Sequence, residues 1–286
     1  MPVPPSYLIG LIGAGIQASL TPAMHEREAD HQGLRYLYKL IDLDVLGLGV
    51  AALPELLVAA ERLGFDGLNV TFPCKQAILP LLDDLSPDAA AIGAVNTVVL
   101  RDRRRVGHNT DCWGFAESFH REMQGAALER VMQFGAGGAG AAVAAALLGL
   151  GVGRLTLFDI EPGRAQALVA ALAARFGAGR VAAVDRIEAG LDGANGLVNA
   201  TPIGMEKCPG MPLPAQLIAP HLWIADVIYF PAETELLRTA RQRGCRTLSG
   251  EGMAVFQAVG AFQLFTGLAP DAERMRQHFN QSRPAT

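Results

Sequence analysis

The chain has 286 residues, half of them apolar, and a formal net charge of −4. That length supports two domains with their own cores, and a weakly acidic balance without basic blocks argues against a nucleic-acid partner. Outside one Ala-rich stretch, no apolar run of about 18 residues lacks polar interruption, so no membrane span is expected.

Met1-Pro2-Val3-Pro4-Pro5 has neither a basic start nor an apolar core, so a cytoplasmic protein without a signal peptide is expected. Cys74, Cys112, Cys208 and Cys245 form no C-x-x-C and have no His at metal spacing. Reduced thiols and no metal follow.

In chain order, residues 7–12 read as a strand that ends at Gly13-Ala14-Gly15. That turn mimics a phosphate loop, but no apolar helix starts there. Ser19-Leu20-Thr21-Pro22 follows, then a helix over 24–32 with Pro22 near its first turn. Ser19 and Thr21 either cap that helix or hold a polyol. A strand over 36–41 and a helix over 53–63, with Pro54 at its start and Gly64 at its end, come next. Residues 67–71 form a strand that runs into Phe72-Pro73-Cys74-Lys75 and a helix reaching 82. Asn69, Thr71 and Lys75 thus lie at the carboxyl end of a buried strand, where open α/β sheets bind ligands.

A short helix over 86–92 precedes a strand over 93–100, in which Asn96 is unusually polar. Residues 101–105 read as a solvated, charged hairpin turn. Residues 106–111 return, with His108 among polar turn residues and no catalytic role expected of it. A helix over 113–123 follows, with Asp111 as its candidate N-cap. Ser19, Thr21, Asn69, Thr71, Lys75, Asn96 and Asp111 could line one pocket.

The second lobe opens on the most informative stretch. Val131-Met132-Gln133-Phe134 reads as a strand, and Gly135-Ala136-Gly137-Gly138-Ala139-Gly140 supplies G-x-G-x-x-G. An Ala-, Val- and Leu-rich helix and a strand over 154–158 follow, and Asp159 lies roughly 20 residues beyond the last glycine. A G-x-G-x-x-G alone is weak; in the order strand, turn, helix, strand, acid it points to a dinucleotide site. Gly135 allows the tight turn, Gly137 lets backbone approach a pyrophosphate, and Gly140 lets helix and strand pack closely. The helix start offers N–H groups to phosphate, and Asp159 is placed to accept from the ribose hydroxyls. Further strands are expected at 181–184, 196–199, 223–227 and 246–248, with helices between. Asn199-Ala200-Thr201-Pro202 lies at the topological switch point. Gly250-Glu251-Gly252-Met253 opens a helix carrying Gln257, and an amphipathic segment over 271–279 is expected to pack back on the first lobe. The expected division is 1–115 plus 249–286 for substrate and 116–248 for cofactor.

These motifs resemble the shikimate dehydrogenase family, in order and over nearly the whole chain. They are Ser19 to His25, Asn69 to Lys75, Gly93 to Thr97, Asn109-Thr110-Asp111, the glycine turn, Asn199 to Pro202, Tyr229, and Gly250-x-Gly252-Met253-x-x-x-Gln257. The resemblance implies an α/β protein of two domains, an open-sheet substrate domain and a Rossmann domain. It implies reversible oxidation of a ring hydroxyl of a polyol acid, with Lys75 and Asp111 as the catalytic pair. Ser19, Thr21, Asn69, Thr71, Asn96, Tyr229 and Gln257 would contact substrate. The cofactor would lie against Gly135 to Ala139, Asp159, Asn199, Thr201, Pro202, Val227, Gly250 and Met253.

Two departures narrow it. Biosynthetic members usually carry Asn-Arg-Thr after the second Rossmann strand to hold the NADP 2′-phosphate, whereas this chain has Asp159-Ile160-Glu161-Pro162. The first motif usually reads Ser-x-Ser, and here it is Ser19-x-Thr21. Both resemble the NAD-dependent quinate/shikimate branch, so NAD and quinate or shikimate are the expected partners, in a monomer or homodimer. An NADP-dependent shikimate dehydrogenase is the alternative. A sensor of the same fold would be expected to lack Lys75 or Asp111, and a folate-type dehydrogenase would want aromatic stacking where this lobe offers hydroxyls and amides.

Overall fold

The computed structural model describes residues 4–282, so Met1 to Val3 of the start motif and the last four residues lie outside the described part. The chain divides into two compact units. One comprises residues up to Thr110 together with those from Val255 onward, and the other is Asp111–Ala254.

In the first unit, β1 (Ser6–Gly13), β2 (Arg35–Asp42) and β3 (Gly67–Val70) are parallel. β4 (Asp84–Leu85), β5 (Thr97–Arg101) and β6 (Arg104–His108) complete a sheet of order β2-β1-β3-β5-β6-β4. β5 is antiparallel to β3 and to β6, so the sheet is mixed. Helices α1 (Thr21–His31), α2 (Leu43–Leu46), α3 (Leu53–Arg62), α4 (Cys74–Ala77) and α5 (Pro87–Ile92) connect the strands. One core joins Ile12, Leu57, Leu68, Val70, Ile78 and Val98, and another joins Ile9, Leu11 and Tyr38 to Ala261 and Phe265. Glu28, with no exposed surface, receives two 2.7 Å bonds from Arg274. Pairing is what makes a buried carboxylate tolerable, and this pair ties the C-terminal segment to α1.

The second unit begins within α6 (Thr110–Glu122). Its strands β7 (Arg130–Phe134), β8 (Arg154–Phe158), β9 (Val181–Ala183), β10 (Gly196–Asn199), β11 (Trp223–Asp226) and β12 (Arg246–Leu248) lie in the order β12-β11-β10-β7-β8-β9. All pairings are parallel, and the order reverses between β7 and β10, the Rossmann switch point. α7 (Gly138–Gly149), α8 (Pro162–Phe176), α9 (Ile187–Leu191) and α10 (Glu235–Gln242) complete the unit, and α11 (Glu251–Thr266) and α12 (Ala272–Gln281) end the chain. α7 is buried along nearly its whole length, as an Ala-, Val- and Leu-rich sequence requires. Among the described residues no helix is long and apolar enough to cross a membrane, and no cluster of side chains could hold a metal ion.

Several local readings need correction. The helix expected to reach 82 stops at Ala77 and gives way to a 3₁₀ turn at Leu79–Leu81, because Pro80 lacks the N–H a helix needs. The strand expected from 93 starts at Thr97, since Gly93 is the left-handed cap of α5 with φ 68°. No α-helix joins β10 to β11. That segment holds five prolines, at 202, 209, 212, 214 and 220, and forms only a 3₁₀ turn at Ala215–Leu217. Asp111 lies inside the first turn of α6, which starts at Thr110, and is not an N-cap. In the charged hairpin only Asp102 and Arg103 turn, with φ 53° and 60°. Arg105 is not a solvated turn residue: it donates to both Glu61 oxygens at 2.7 and 2.8 Å and to the Leu81 carbonyl.

Candidate active site

In the first unit, polar side chains are built into buried strands, where each must find a partner or pay for lost hydration. Asn69 on β3 and Asn96 just before β5 are both 3% exposed. Tyr38 Oη donates to Asn69 Oδ1 at 2.7 Å, and Asn69 Nδ2 donates to Thr97 Oγ1 at 3.0 Å. Thr97 Oγ1 donates to Asn96 Oδ1 at 3.1 Å. Asn96 in turn bonds Thr110 through its amide nitrogen and oxygen, at 2.9 Å to Oγ1 and 2.7 Å from the backbone N–H. The chain of bonds ends beside Asp111 in sequence. Asn109 donates to the Ala94 carbonyl at 2.9 Å.

Thr71 follows β3, its N–H donating to Ile12 O at 2.9 Å. Lys75 is half-buried in α4, and its carbonyl accepts the Val95 N–H at 2.9 Å. Lys75 is thereby tied through the backbone to the segment carrying Asn96. Gln257 is half-buried on α11.

The Gly13-Ala14-Gly15 turn holds the chain's own anion. Asp42 accepts the N–H groups of Gly15 and Ile16 at 3.0 Å each and Gln17 Nε2 at 2.9 Å. The Gln17 bond, helped by those backbone donors, keeps its carboxyl below the ordinary range. A loop so fastened presents Ser19, whose Oγ accepts the Thr21 N–H at 3.3 Å. Thr21 is the first residue of α1; the N-cap residue, Leu20, makes no side-chain cap bond, and the Thr21 hydroxyl itself caps nothing. Capping therefore does not account for the Thr21 hydroxyl.

In the second unit, Gly135 has φ 92°, a region that disfavours side chains, and a Cβ on Gly140 would come within 2.3 Å of the Gly135 carbonyl. Gln133, fully buried, donates to the Gly135 and Gly140 carbonyls at 2.8 Å each and so staples the turn. Gly137 precedes α7 in extended conformation, with no side chain capping the helix and nothing within 4 Å of where its Cβ would stand. Gly138 and Ala139 form the first turn, whose N–H groups have no partner within the helix. Asp159 follows β8. Its Oδ2 accepts the Ala136 N–H at 2.7 Å and its Oδ1 the Glu161 N–H at 2.9 Å, which leaves each oxygen with further accepting capacity. An uncapped helix start, a glycine turn open to close approach and a fixed carboxylate at the adjacent strand end fit a dinucleotide.

Asn199, fully buried at the end of β10, accepts from the Thr201 N–H and hydroxyl and donates to the Ile203 carbonyl and Asp226. Pro202 lies within the loop so formed. Asp226, 2% exposed at the end of β11, also accepts from Thr234 Oγ1 at 2.7 Å and the Ile228 N–H at 3.1 Å. With no cation among these partners, burial pushes its carboxyl up to about 6. Val227 O stands 2.2 Å from where a Gly250 Cβ would lie, so only glycine fits there, and Met253 is buried on α11. Tyr229 is 42% exposed, yet desolvation and the charge of Asp111 raise its phenol above the ordinary value. Asp111 itself is 6% exposed. Tyr38, Thr97, Gln133 and Asp226 were not among the residues expected from sequence; for Thr97, Gln133 and Asp226 the signal is a polar side chain in an otherwise buried strand, and for Tyr38, on the half-exposed β2, there is none.

Comparison with known proteins bears on both units. The model of the shikimate dehydrogenase substrate binding domain matches residues 11–98, and that of the shikimate 5′-dehydrogenase C-terminal domain matches 250–278. A shikimate dehydrogenase (NADP(+)) of Streptomyces avermitilis is 61% identical, over 94% of this chain and 94% of its own length. The chain belongs to the shikimate dehydrogenase family. Within it, a quinate/shikimate dehydrogenase (NAD(+)) of Corynebacterium efficiens is 50% identical over 96% of this chain and 98% of its own. The solved quinate dehydrogenase of Corynebacterium glutamicum in complex with NAD superposes with a TM-score of 0.90 at 47% identity, covering 96% of this chain and 99% of that one. Relatives of both cofactor types thus lie at high similarity across the full family fold.

Proposed function

We propose that this member of the shikimate dehydrogenase family is an NAD-dependent quinate/shikimate dehydrogenase, interconverting a ring hydroxyl and the ketone of 3-dehydroquinate or 3-dehydroshikimate. Lys75 would act as the acid–base group, taking the hydroxyl proton in oxidation and returning it in reduction. Asp111 would orient the hydroxyl and the Lys75 head. Ser19, Thr21, Asn69, Thr71, Asn96, Tyr229 and Gln257 would hold the polyol acid. The glycine turn and the start of α7 would hold the pyrophosphate, with Asn199, Thr201 and Pro202 bordering the nicotinamide end. Bound NAD supplies the redox chemistry, exchanging hydride with the carbinol carbon. The residues up to Thr110 with the C-terminal helices would form the substrate domain, and the protein would work in the cytoplasm as a monomer or homodimer.

The observation that carries the choice of NAD is Asp159. Its carboxylate, fixed by the Ala136 and Glu161 N–H groups, matches ribose hydroxyls and repels a 2′-phosphate. Arg164, the nearby cation in sequence, is paired with Glu161 at 2.9 Å. NADP use is the second reading, favoured by the name of the 61% identical relative. The ratio of kcat/KM for NAD over NADP separates the two. At least about tenfold in favour of NAD is expected, equivalent to ~1.4 kcal/mol, with the ratio falling in Asp159→Ser; a ratio favouring NADP would overturn the choice.

A further inference from the structure

An asparagine amide reads a ligand through whichever end faces it, so whatever fixes its flip fixes what it can recognise. Backbone groups have unambiguous roles and settle both flips here. The Thr110 N–H lies 2.7 Å from one terminal atom of Asn96, so that atom is the oxygen. The Asn96 carbonyl lies 3.3 Å from one terminal atom of Asn69, so that atom is the nitrogen. The remaining Asn69 atom is then the oxygen, and Tyr38 must donate to it.

Tyr38 comes from β2, with β1 between it and Asn69 on β3. It is 6% exposed, and the buried His25 ring meets it edge-on with centroids 5.1 Å apart, so the phenol has little freedom. Thr97 couples the two amides through a single hydroxyl, accepting from Asn69 and donating to Asn96.

Both N–H groups of Asn69 are occupied, by Thr97 and the Asn96 carbonyl, which leaves one lone pair on Oδ1. Asn96 Oδ1 accepts from Thr110 and Thr97, and one amide hydrogen goes to Thr110 Oγ1, which leaves the second hydrogen. We propose that Tyr38 and Thr97 are positioning residues that present Asn69 as an acceptor and Asn96 as a donor. The site then takes a polyol hydroxyl that donates to Asn69 and a second oxygen that accepts from Asn96. This rests on the reading above, in which both asparagines meet the polyol.

Steady-state kinetics on the full-length enzyme test it, with Tyr38→Phe, Asn69→Ala and the double variant. Tyr38→Phe should raise the polyol KM about five- to tenfold, the scale of one lost hydrogen bond, with kcat and the NAD KM within about twofold. In the Asn69→Ala background the same substitution should add less than about twofold, because Tyr38 acts through Asn69. Thr97→Val should raise the polyol KM while Thr97→Ser, which keeps the hydroxyl, should not; this pair stands even if Tyr38→Phe does not fold. An unchanged polyol KM in Tyr38→Phe, an equal rise with and without Asn69, or Thr97→Ser failing as Thr97→Val does would overturn the proposal. Wild-type turnover of the polyol acids tests the underlying reading separately.

Discussion

Replacing Asp226 by asparagine should flatten the acid side of the protein's stability profile. Asp226 is 2% exposed and its neighbours are Thr234, Asn199 and a backbone N–H, all neutral. Burial outweighs those bonds and moves its carboxyl from 3.8 to about 6. In that window the folded chain holds a proton that the unfolded chain has released. Stability from this group is therefore fully present below 3.8 and is lost as pH rises through 6. The full span is about 3 kcal/mol, from about 1.36 kcal/mol per pH unit. About 1.4 kcal/mol of it falls between about pH 5 and about pH 7.5. Urea unfolding of wild type and Asp226→Asn at those two values measures it. Trp113 and Trp223, both in the second unit, provide the fluorescence signal. Groups common to the two proteins cancel in the comparison. The wild type should lose about 1.4 kcal/mol more than the variant on going to the higher pH. Equal pH dependence in the two proteins, or a larger loss in the variant, would refute the reasoning.

Lys75→Ala should lower kcat by at least about 10²-fold with a smaller change in KM, the usual scale for a positioned acid–base group; near-wild-type kcat would remove Lys75 from that role. Thr21→Ser should lower quinate turnover relative to shikimate. Quinate carries an extra hydroxyl on a tetrahedral carbon, and the methyl of threonine restricts the direction of its own hydroxyl. Since the Thr21 side chain does not cap α1, an unchanged kcat/KM ratio for the two acids would leave it without a part in this choice.

The Rossmann half is legible in the sequence because its signals are local. Val131 to Asp159 contains the strand, the turn, the apolar helix and the acid within one short stretch, and no long-range contact is needed to read them. Residues 200–222 show the opposite case. Their length suggests a helix, and only the individual prolines say otherwise. Asn69 and Asn96 stand out as polar residues at strand ends, but their tethers do not. Tyr38 reaches Asn69 from a different strand, and a tyrosine in β2 looks like an ordinary aromatic strand residue. Gln133 and Asp226 are hidden for a related reason. A polar residue inside an apolar run gains meaning only when the partner across the turn or the neighbouring strand is known. Arg105 reads as a solvated turn charge until α3 brings Glu61 to it.

Oxidation of a polyol acid by NAD is the reaction proposed for this chain. Its most direct measurement is the initial rate of nicotinamide reduction with quinate and with shikimate, each with NAD and with NADP. Turnover of both acids, with NAD preferred, is the predicted result. No turnover of either acid with either cofactor, or turnover of shikimate with NADP alone, would contradict it.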